Sequence, residues 1–529
     1  MKEEQLYFKG NVIVEPLFNQ WYAWSNLMAP ATSAMYIANL HLKVMQSFVS
    51  APQVHVAALK NPAMLGGPFI NYGADKVPGM KALIEKTTKE QAPMLELADA
   101  IKSLDTMMTG AAGGNSLEPL YDRIPAALQG LVELVYDLNN SPSIRLIEGL
   151  LYQSRFYNPA AQSVTLTLAE QDDRPFVFST PRLESENTLT LQMPFSDERL
   201  DELFKMKHVP QSYNYIKEKL EIEDEKDALF STFFTQEAPP APDRYDGDGV
   251  RIRYYGHACL LIESRETSIL CDPVISYDLP SSIPRYTFAD LPAVIDYVLI
   301  THNHQDHCMF ETLLQLRHKV KTVIVPKNNG GSLADPSLKL VLRNIGFSDV
   351  LEIDEIETIS VKGGGITGLP FLGEHADLNI RSKIAYLIKL EGQQIICAAD
   401  SDNIEPKTYE RIHQVYGDMD VIFIGMECDG APMSWLYGPL LTKPLARKQD
   451  QSRRSNGSDY GKAVKLVNEF NPKQVYIYAM GQEPWLTYLT SIHYTAESRP
   501  IVESDKLVTD CQSRGIIAER LYGQKEIVL

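Results

Sequence analysis

The stretch Ile300-Thr301-His302-Asn303-His304-Gln305-Asp306-His307 decides the fold of this chain. It completes an apolar run that is typical of a short buried strand. Alternate residues of an extended segment point to the same side, so His302 and His304 can bind one metal ion. Asp306 and His307 lie just past the strand end and can reach a second metal ion nearby. The spacing therefore predicts a dinuclear metal site at the end of a strand.

Length and composition indicate a globular protein of two or three domains. The chain has 529 residues, of which 44% are hydrophobic and 22% charged. No apolar run is long enough to cross a bilayer, and no signal-like block follows the start, so we expect a cytoplasmic protein. A formal charge of −18 argues against nucleic acid or an anionic membrane as a partner. The six cysteines form no CxxC pair, so we expect no disulfides.

A Pro- and Gly-rich linker at residues 238–249 divides the chain. Residues 1–237 are predicted to form an α+β domain without chemistry of its own. Its aromatic residues are candidates for lining a substrate tunnel. Within it we expect helices at Met80–Met108 and Leu117–Leu138, and strands at Ser163–Leu168, Pro175–Ser179 and Thr188–Met193.

Residues 250–529 are predicted to be rich in strands, with helices between some of them. This order suggests two sheets covered by outer helices. The expected strands are Val250–Tyr255, Ala258–Glu263, Ser268–Cys271, Tyr297–Ile300, Thr322–Val325, Val350–Ile353, Thr358–Val361, Ile384–Leu390 and Gln394–Ala398, and the expected helices are Phe310–Leu316 and Leu338–Asn344.

Four motifs of this second part resemble the metallo-β-lactamase fold. They are Gly256-His257-Ala258-Cys259, the strand end Ile269-Leu270-Cys271-Asp272-Pro273, the histidine motif, and Ala398-Ala399-Asp400-Ser401. The resemblance implies an α+β N-terminal domain followed by a metallo-β-lactamase-like αββα sandwich. It also matches Asp400 to the carboxylate that bridges the two metals in that fold.

Two other positions depart from the fold's usual ligands. Where its third histidine falls, this chain has Glu374 and His375, and either could ligate. Where its last histidine belongs, the sequence is Met480-Gly481-Gln482, and His493 lies further along. With Glu374 as ligand, the set holds three imidazoles and three carboxylates, and anionic oxygen donors stabilise the higher oxidation state of iron. This set of ligands therefore favours a redox-active diiron centre.

The chain as a whole resembles the diiron β-hydroxylases of nonribosomal peptide and antibiotic biosynthesis, of the type that acts in the chloramphenicol pathway. The resemblance implies a monooxygenase that uses O2 to β-hydroxylate an amino acid held as a thioester on a carrier protein of a nonribosomal peptide synthetase. It implies two iron ions, joined by an oxo or hydroxo bridge when oxidised, and a homodimer. No cofactor fingerprint for electron supply occurs, so a separate reductase or ferredoxin is expected.

The resemblance also implies roles for individual residues. His302, His304 and Glu374 would hold one iron, Asp306 and His307 the other, and Asp400 would bridge them. Glu374, Asp400 and Glu427 are the candidate catalytic residues, although Glu427 could equally be a solvated acid at a strand end.

An acidic carrier protein needs a basic contact on this acidic chain. The stretch Leu441–Ser455 contains five basic residues against one acid and is the candidate, although a solvated loop is the alternative. The candidate carrier contacts are Lys443, Arg447, Lys448, Arg453 and Arg454.

A dinuclear zinc hydrolase acting on a phosphodiester, lactone or thioester is the alternative function. It would be favoured if His375 rather than Glu374 proved to be the ligand and if a late histidine such as His493 completed the site.

Overall fold

The computed structural model of the chain describes residues 4–529. The part before the linker combines three small sheets with helices. Its strands are β1 (Gln5–Phe8), β2 (Val12–Phe18), β3 (Trp21–Tyr22), β4 (Val132–Tyr136), β5 (Pro142–Leu146), β6 (Gln162–Leu168), β7 (Thr188–Leu191), β8 (Gln211–Ser212) and β9 (Phe234–Thr235). Its helices are α1 (Ser25–Met28), α2 (Pro30–Tyr36), α3 (Leu42–Ser50), α4 (Pro52–Leu59), α5 (Val77–Glu90), α6 (Ala92–Ala111), α7 (Glu148–Tyr152), α8 (Arg199–Lys205), α9 (Tyr213–Lys219) and α10 (Asp227–Ser231). A π-helical turn, Ile37–His41, joins α2 to α3.

Two expectations for this part were wrong, and a third was right only in part. The predicted helix Leu117–Leu138 is instead two 3₁₀ turns followed by β4. Pro125 lacks a backbone N–H and Gly130 adopts a φ of +75°, so the chain cannot continue as a helix through them. Residues 175–179, predicted as a strand, form no strand. The predicted helix Met80–Met108 is two helices, α5 and α6, which meet at Gln91.

After the linker the strands are β10 (Arg251–Gly256), β11 (Cys259–Glu263), β12 (Ser268–Cys271), β13 (Ile295–Leu299), β14 (Val320–Pro326), β15 (Val350–Ile353), β16 (Thr358–Val361), β17 (Gly364–Leu369), β18 (Ala385–Leu390), β19 (Gln393–Cys397), β20 (Val421–Gly425), β21 (Gln474–Tyr478), β22 (Ile517–Arg520) and β23 (Lys525–Val528). The helices are α11 (Phe310–Leu316), α12 (Leu338–Asn344), α13 (Pro406–Tyr416), α14 (Met433–Tyr437), α15 (Arg447–Ser452), α16 (Tyr460–Phe470), α17 (Thr487–Thr490) and α18 (Arg499–Ser513).

These strands form two seven-stranded mixed sheets, which confirms the predicted sandwich. One sheet has the order β15-β14-β13-β12-β11-β10-β23, and the other has β16-β17-β18-β19-β20-β21-β22. Apolar side chains from both sheets, such as Ile252, Ile324 and Phe423, pack between them. Helices α13, α16 and α18 cover the outer face of the second sheet. The αββα order follows because each sheet has two apolar faces to bury.

The N-terminal part packs on the outer face of the first sheet. A single apolar core contains Phe18 and Leu27 from the N-terminal part together with Leu270 and Leu313 beyond the linker. Helices α11 and α12 belong to this core. The two parts of the chain are therefore joined by a continuous hydrophobic interface.

Within residues 4–529 no helix is both long and apolar enough to span a bilayer. The six cysteines are buried and unpaired, as expected from their spacing.

Candidate metal centre

The candidate metal centre lies at one edge of the sandwich, where strands of both sheets end. The histidine motif follows β13, and Asp272 follows the neighbouring strand β12. Asp400 follows β19 of the second sheet. Glu374 comes from the loop between β17 and β18. Parallel strands bring their carboxyl ends to the same edge, so residues far apart in sequence meet here.

The first group of ligand atoms consists of His302, His304 and Glu374. Oε1 of Glu374 lies 2.9 Å from Nδ1 of His304, and Oε2 lies 3.9 Å from Nε2 of His302. One candidate ligand atom from each residue lies within 4.8 Å of the others, and all three residues are buried. The group can hold one metal ion.

The second group contains Asp306 and His307, and Asp400 lies between the two groups. Oδ2 of Asp400 is 2.9 Å from Nε2 of His307 and 3.8 Å from Nε2 of His302. The carboxylate of Asp400 thus faces ligand atoms of both groups. This is the placement that a bridging carboxylate requires.

The residues fit metal ions because their lone pairs converge without partners. Nε2 of His302 and His307, Oε2 of Glu374 and Oδ1 of Asp400 are buried atoms that make no hydrogen bond. A buried polar atom without a hydrogen-bond partner is costly. Two cations between them satisfy all of these atoms, and the mixture of imidazole and carboxylate suits iron.

Local electrostatics acts differently on these side chains. Burial lowers the pKa of His304 and of His307, but Glu374 beside His304, and Asp400 and Asp272 beside His307, outweigh it and raise both pKa values, so a metal ion would have to displace a proton from each ring. Burial, the largest cause, holds the pKa of His302 well below its usual value, so the imidazole is neutral. Burial opposes ionisation of Glu374, but His304 and His375 outweigh it and keep the pKa of Glu374 well below its usual range. Neighbouring histidines also lower the pKa of Asp306 against the effect of burial. The carboxylates are therefore ionised.

Two of the candidate ligand histidines, His304 and His307, have an outer partner that orients the ring. Nδ1 of His307 lies 2.8 Å from Oδ2 of Asp272, so its N–H donates there and leaves Nε2 for a metal. Nε2 of His304 lies 3.1 Å from the hydroxyl of Tyr437, which leaves Nδ1 for the metal. These contacts select the ring nitrogen that faces the centre.

The structure places Glu374, but not its neighbour His375, in a group of candidate ligand atoms. His375 is buried and stacks on His304 with ring centroids 4.5 Å apart, and its Nδ1 lies 2.8 Å from Oε2 of Glu374. It belongs to none of the ligand groups found in residues 4–529. His493 is exposed and does not line the cavity described below. The arrangement on which the hydrolase alternative depended is therefore absent from the described part of the chain.

His257 is a member of the site that the sequence suggested only as part of a fold motif. It is buried in the turn between β10 and β11, and its Nε2 lies 3.3 Å from Oδ2 of Asp306. Its ring lies 4.8 Å from that of His307, centroid to centroid. No local signal distinguishes such a histidine from one in an ordinary core.

Several residues of the site have strained backbones. His257, Asp272, Glu374 and Ala399 all have positive φ, between 36° and 61°, although none is glycine. Such outliers cluster at functional sites, where the surrounding structure enforces them. Gly425 is needed for a different reason, since a Cβ there would lie 2.5 Å from the carbonyl oxygen of Ala399 and 2.8 Å from Oδ1 of Asp400.

A cavity of about 450 Å³ opens onto the ligand groups. His304, Asp306, Glu374 and Asp400 lie in its wall. Its apolar lining includes Leu65, Met480, Trp435, Leu436 and Ile492.

The N-terminal part contributes Leu65 and Gly66 to the cavity wall. Its aromatic residues Trp21, Trp24 and Tyr36 do not line the cavity and are buried in the core. The cavity is large enough for an amino acid side chain above the metal site.

Glu427 also lines this cavity. Its Oε1 accepts a hydrogen bond from the Tyr494 hydroxyl (3.3 Å), while its buried Oε2 has no partner. Burial first, and then Asp400 and Asp429, raise the pKa of Glu427 to about 7. Glu427 is thus half-buried in the cavity wall, and its catalytic role stays a prediction.

The basic stretch Leu441–Ser455 runs beside the cavity, and its cations differ in their contacts. Nε of Arg453 donates to the carbonyl oxygen of Ala376 (2.9 Å), and Lys443 donates to Thr109 of the N-terminal part (2.9 Å). Arg454 lines the cavity. Arg447 and Lys448, which begin α15, are exposed and make no ion pair within the described residues.

Comparison with known proteins bears on both parts of the chain. Residues 7–239 match the family model "Diiron non-heme beta-hydroxylase N-terminal domain", and residues 251–430 match "Beta-lactamase superfamily domain". The chain is 39% identical, over 98% of its length and 99% of the other, to the 4-amino-L-phenylalanyl-[CmlP-peptidyl-carrier-protein] 3-hydroxylase of Streptomyces venezuelae.

Two solved structures resemble this chain over nearly its whole length. The crystal structure of CmlA, a diiron β-hydroxylase from Streptomyces venezuelae, superposes with a TM-score of 0.94 at 38% identity and covers 100% of both chains. A mutant of CmlA superposes with a TM-score of 0.91 at 38% identity, over 99% of this chain and 100% of the other.

A buried set of histidines and carboxylates at the strand ends of an αββα sandwich defines a dinuclear metal enzyme. The 39% identity to the Streptomyces venezuelae 3-hydroxylase, over 98% of this chain, assigns the chain to a family within this class. The chain belongs to the family of diiron non-heme β-hydroxylases. It is therefore a non-heme diiron monooxygenase, and the expectation of two iron ions is confirmed at the level of the family.

Proposed function

We propose that this enzyme hydroxylates the β-carbon of an amino acid that a carrier protein of a nonribosomal peptide synthetase holds as a thioester. The observation that carries the proposal is the buried group of three imidazoles and three carboxylates beneath an open cavity. The relative that is 39% identical over nearly the whole chain acts, by its name, on an aminoacyl carrier protein, which supports the same substrate class here.

The proposed ligand assignment follows the two groups of side chains. His302, His304 and Glu374 would hold one iron, and Asp306 and His307 the other. Asp400 would bridge them, because its Oδ2 faces histidines of both groups. When bound, the two irons would activate dioxygen with electrons from an external donor for insertion of one oxygen atom into a C–H bond.

The chain itself would position the substrate and limit water. The apolar wall formed by Leu65, Trp435 and Ile492 would pack against the amino acid side chain and exclude water from the reacting carbon. Glu427 faces the same cavity with an unpartnered Oε2, where it can hold a proton or accept a hydrogen bond from the substrate's amino group. Glu374, Asp400 and Glu427 remain the proposed catalytic residues.

The basic stretch beside the cavity is the proposed carrier contact. Carrier proteins are usually acidic, so exposed cations near the opening would steer the carrier toward it. Arg447 and Lys448 are exposed without ion pairs among residues 4–529, and Arg454 lies at the cavity wall. Lys443 and Arg453 hold the stretch in place through Thr109 and Ala376, so their loss would affect structure as well as docking.

Charge reversal tests the carrier contact. Arg447→Glu combined with Lys448→Glu should weaken carrier binding at least tenfold, with the largest effect at low salt. Arg411→Glu combined with Lys465→Glu makes the same charge change on α13 and α16, which cover the far face of the second sheet, and serves as the control. Equal affinities for the two double variants would remove α15 from the interface.

The activity is tested by supplying the reduced iron-loaded enzyme with ¹⁸O₂ and a 4-amino-L-phenylalanyl carrier protein. The proposal expects a product that is heavier by one ¹⁸O atom at the β-carbon, and no product from the free amino acid. Release of the amino acid without oxidation would identify a thioesterase instead.

Three further expectations remain proposals: a homodimer formed through the N-terminal part, a separate reductase or ferredoxin, and a cytoplasmic location.

A further inference from the structure

His257 stands next to the second group of ligand atoms, where it could act in two ways. It is buried, and its Nε2 lies 3.3 Å from Oδ2 of Asp306, within reach of a hydrogen bond, although like Nε2 of His302 and His307 it is a buried atom without a hydrogen bond in this structure. Together with Asp306 and His307 it forms a cluster compact enough to hold a metal ion. His257 is therefore either an additional ligand or a residue that orients one. The two roles require different protonation of the ring.

The hydrogen bond at Nδ1 decides between these roles. The backbone N–H of Gly481 donates to Nδ1 of His257 (3.2 Å). The backbone N–H of Ala479 donates to the carbonyl oxygen of His257 (2.8 Å), which fixes the two segments relative to each other. Nδ1 must therefore carry a lone pair, and a neutral imidazole with a lone pair at Nδ1 carries its proton at Nε2. An Nε2 that bears a proton has no lone pair for a metal.

We propose that His257 is a positioning residue that donates its Nε2–H to Oδ2 of Asp306 and leaves Oδ1 of Asp306 for the iron. The inference rests on the proposed ligand role of Asp306. Held in this way, Asp306 would offer one oxygen to the second iron, and among residues 4–529 the side chains that would hold this iron are Asp306, His307 and Asp400.

The loop that sets the tautomer stands where the metallo-β-lactamase fold usually carries its last histidine. In this chain that loop contains Ala479, Met480 and Gly481, and it contributes a backbone N–H instead of an imidazole. In place of a ligand, this loop would orient His257 through the Gly481 N–H, and His257 would in turn orient Asp306.

Two substitutions of His257 separate its two contacts. Asparagine can accept from Gly481 with its short side chain but cannot reach Asp306, and it tolerates the φ of +51° at this position better than most residues. Glutamine places an amide N–H near the position of Nε2, so it can still donate to Asp306. Asp306→Asn serves as the reference for loss of a ligand. Iron bound per chain and its release to a competing chelator are measured for all variants, with thermal unfolding as the check on folding.

The proposal expects His257→Asn to bind two irons at saturation but to release the second about 10–100-fold more readily. His257→Gln should restore retention to within about threefold of the unsubstituted protein, and Asp306→Asn should lack the second iron. The proposal is overturned if both His257 variants lose the second iron as completely as Asp306→Asn, since His257 would then be a ligand. It is also overturned if neither variant changes iron release. Two firmly held irons in Asp306→Asn would instead overturn the ligand role of Asp306.

Discussion

Arg174 of the N-terminal part binds Glu311 of α11 through two parallel hydrogen bonds. Nη1 donates to Oε1 (2.9 Å) and Nη2 donates to Oε2 (2.8 Å), and both side chains are buried. The hydroxyls of Tyr22 and Tyr277 also donate to Glu311. Such bidentate pairs are geometrically demanding, so this contact fixes the N-terminal part against the metal-binding domain.

Replacing Glu311 by glutamine should destabilise the protein by about 1.5–3 kcal/mol, because it removes one of the two carboxylates that pair with the buried guanidinium of Arg174 and leaves only Glu15. Urea unfolding measures the change. Glu133→Gln breaks the half-exposed pair with Arg145 and should change stability by less than about 1 kcal/mol. Equal losses in the two variants would contradict the role assigned to the buried pair.

Glu148 should make stability fall as the pH rises. Burial raises its pKa to about 7, although Oε2 accepts a hydrogen bond from the backbone N–H of Ser337 (2.9 Å) and Oε1 accepts one from Asn328 (3.2 Å). A raised pKa in an acid means that the stabilisation is present below pH 4.5 and is lost as the pH passes about 7.

The unfolding free energy should therefore fall by roughly 2 kcal/mol more between pH 5 and pH 8 in the native protein than in Glu148→Gln. Glu118→Gln changes an exposed glutamate and should leave the pH profile unaltered. Parallel profiles for the native protein and Glu148→Gln would show that Glu148 does not titrate in this range.

Glu374→His should retain metal but abolish hydroxylation. Imidazole can replace the carboxylate beside His302 and His304, but it removes an anionic oxygen donor that stabilises oxidised iron. Glu355→His makes the same chemical change at an exposed glutamate outside the ligand groups of the described residues, so it is the matched control and should keep both irons and the activity. Metal analysis and product formation are compared, and hydroxylation by Glu374→His would refute the role of Glu374.

Asp272→Asn should weaken iron binding about 10–100-fold without preventing folding. Oδ2 of Asp272 accepts the Nδ1–H of His307, and an asparagine amide turned toward the ring would favour the tautomer with Nε2–H. Chelator competition measures the affinity. Asp296→Asn, which changes a carboxylate that bonds Ser268, is the control, and equal iron release in the two variants would contradict the account.

Local pattern predicted much of the second domain. Helices α11 and α12 and strands β15 and β16 have the predicted bounds, because apolar periodicity and turn residues specify them locally. β17 was missed because Gly364, Gly365 and Gly368 lower strand propensity. β23 was also missed, since its pairing with β10 joins opposite ends of the domain and has no local signal.

Some residues of the metal centre could be predicted from the sequence, and others could not. The histidine motif and Asp400 follow strands whose ends are readable in sequence, whereas Glu374 was found only through the family resemblance, and the structure brings all of them together. His257 could not be recognised, because its role depends on Asp306 and Gly481, which are distant in sequence and meet only through the arrangement of the sheets.

The metal content of the protein purified from cells supplied with both iron and zinc tests the account most directly. The account predicts about two irons per chain, together with a near-ultraviolet absorption band that disappears on anaerobic reduction. Two zinc ions per chain and no redox-active band would contradict it.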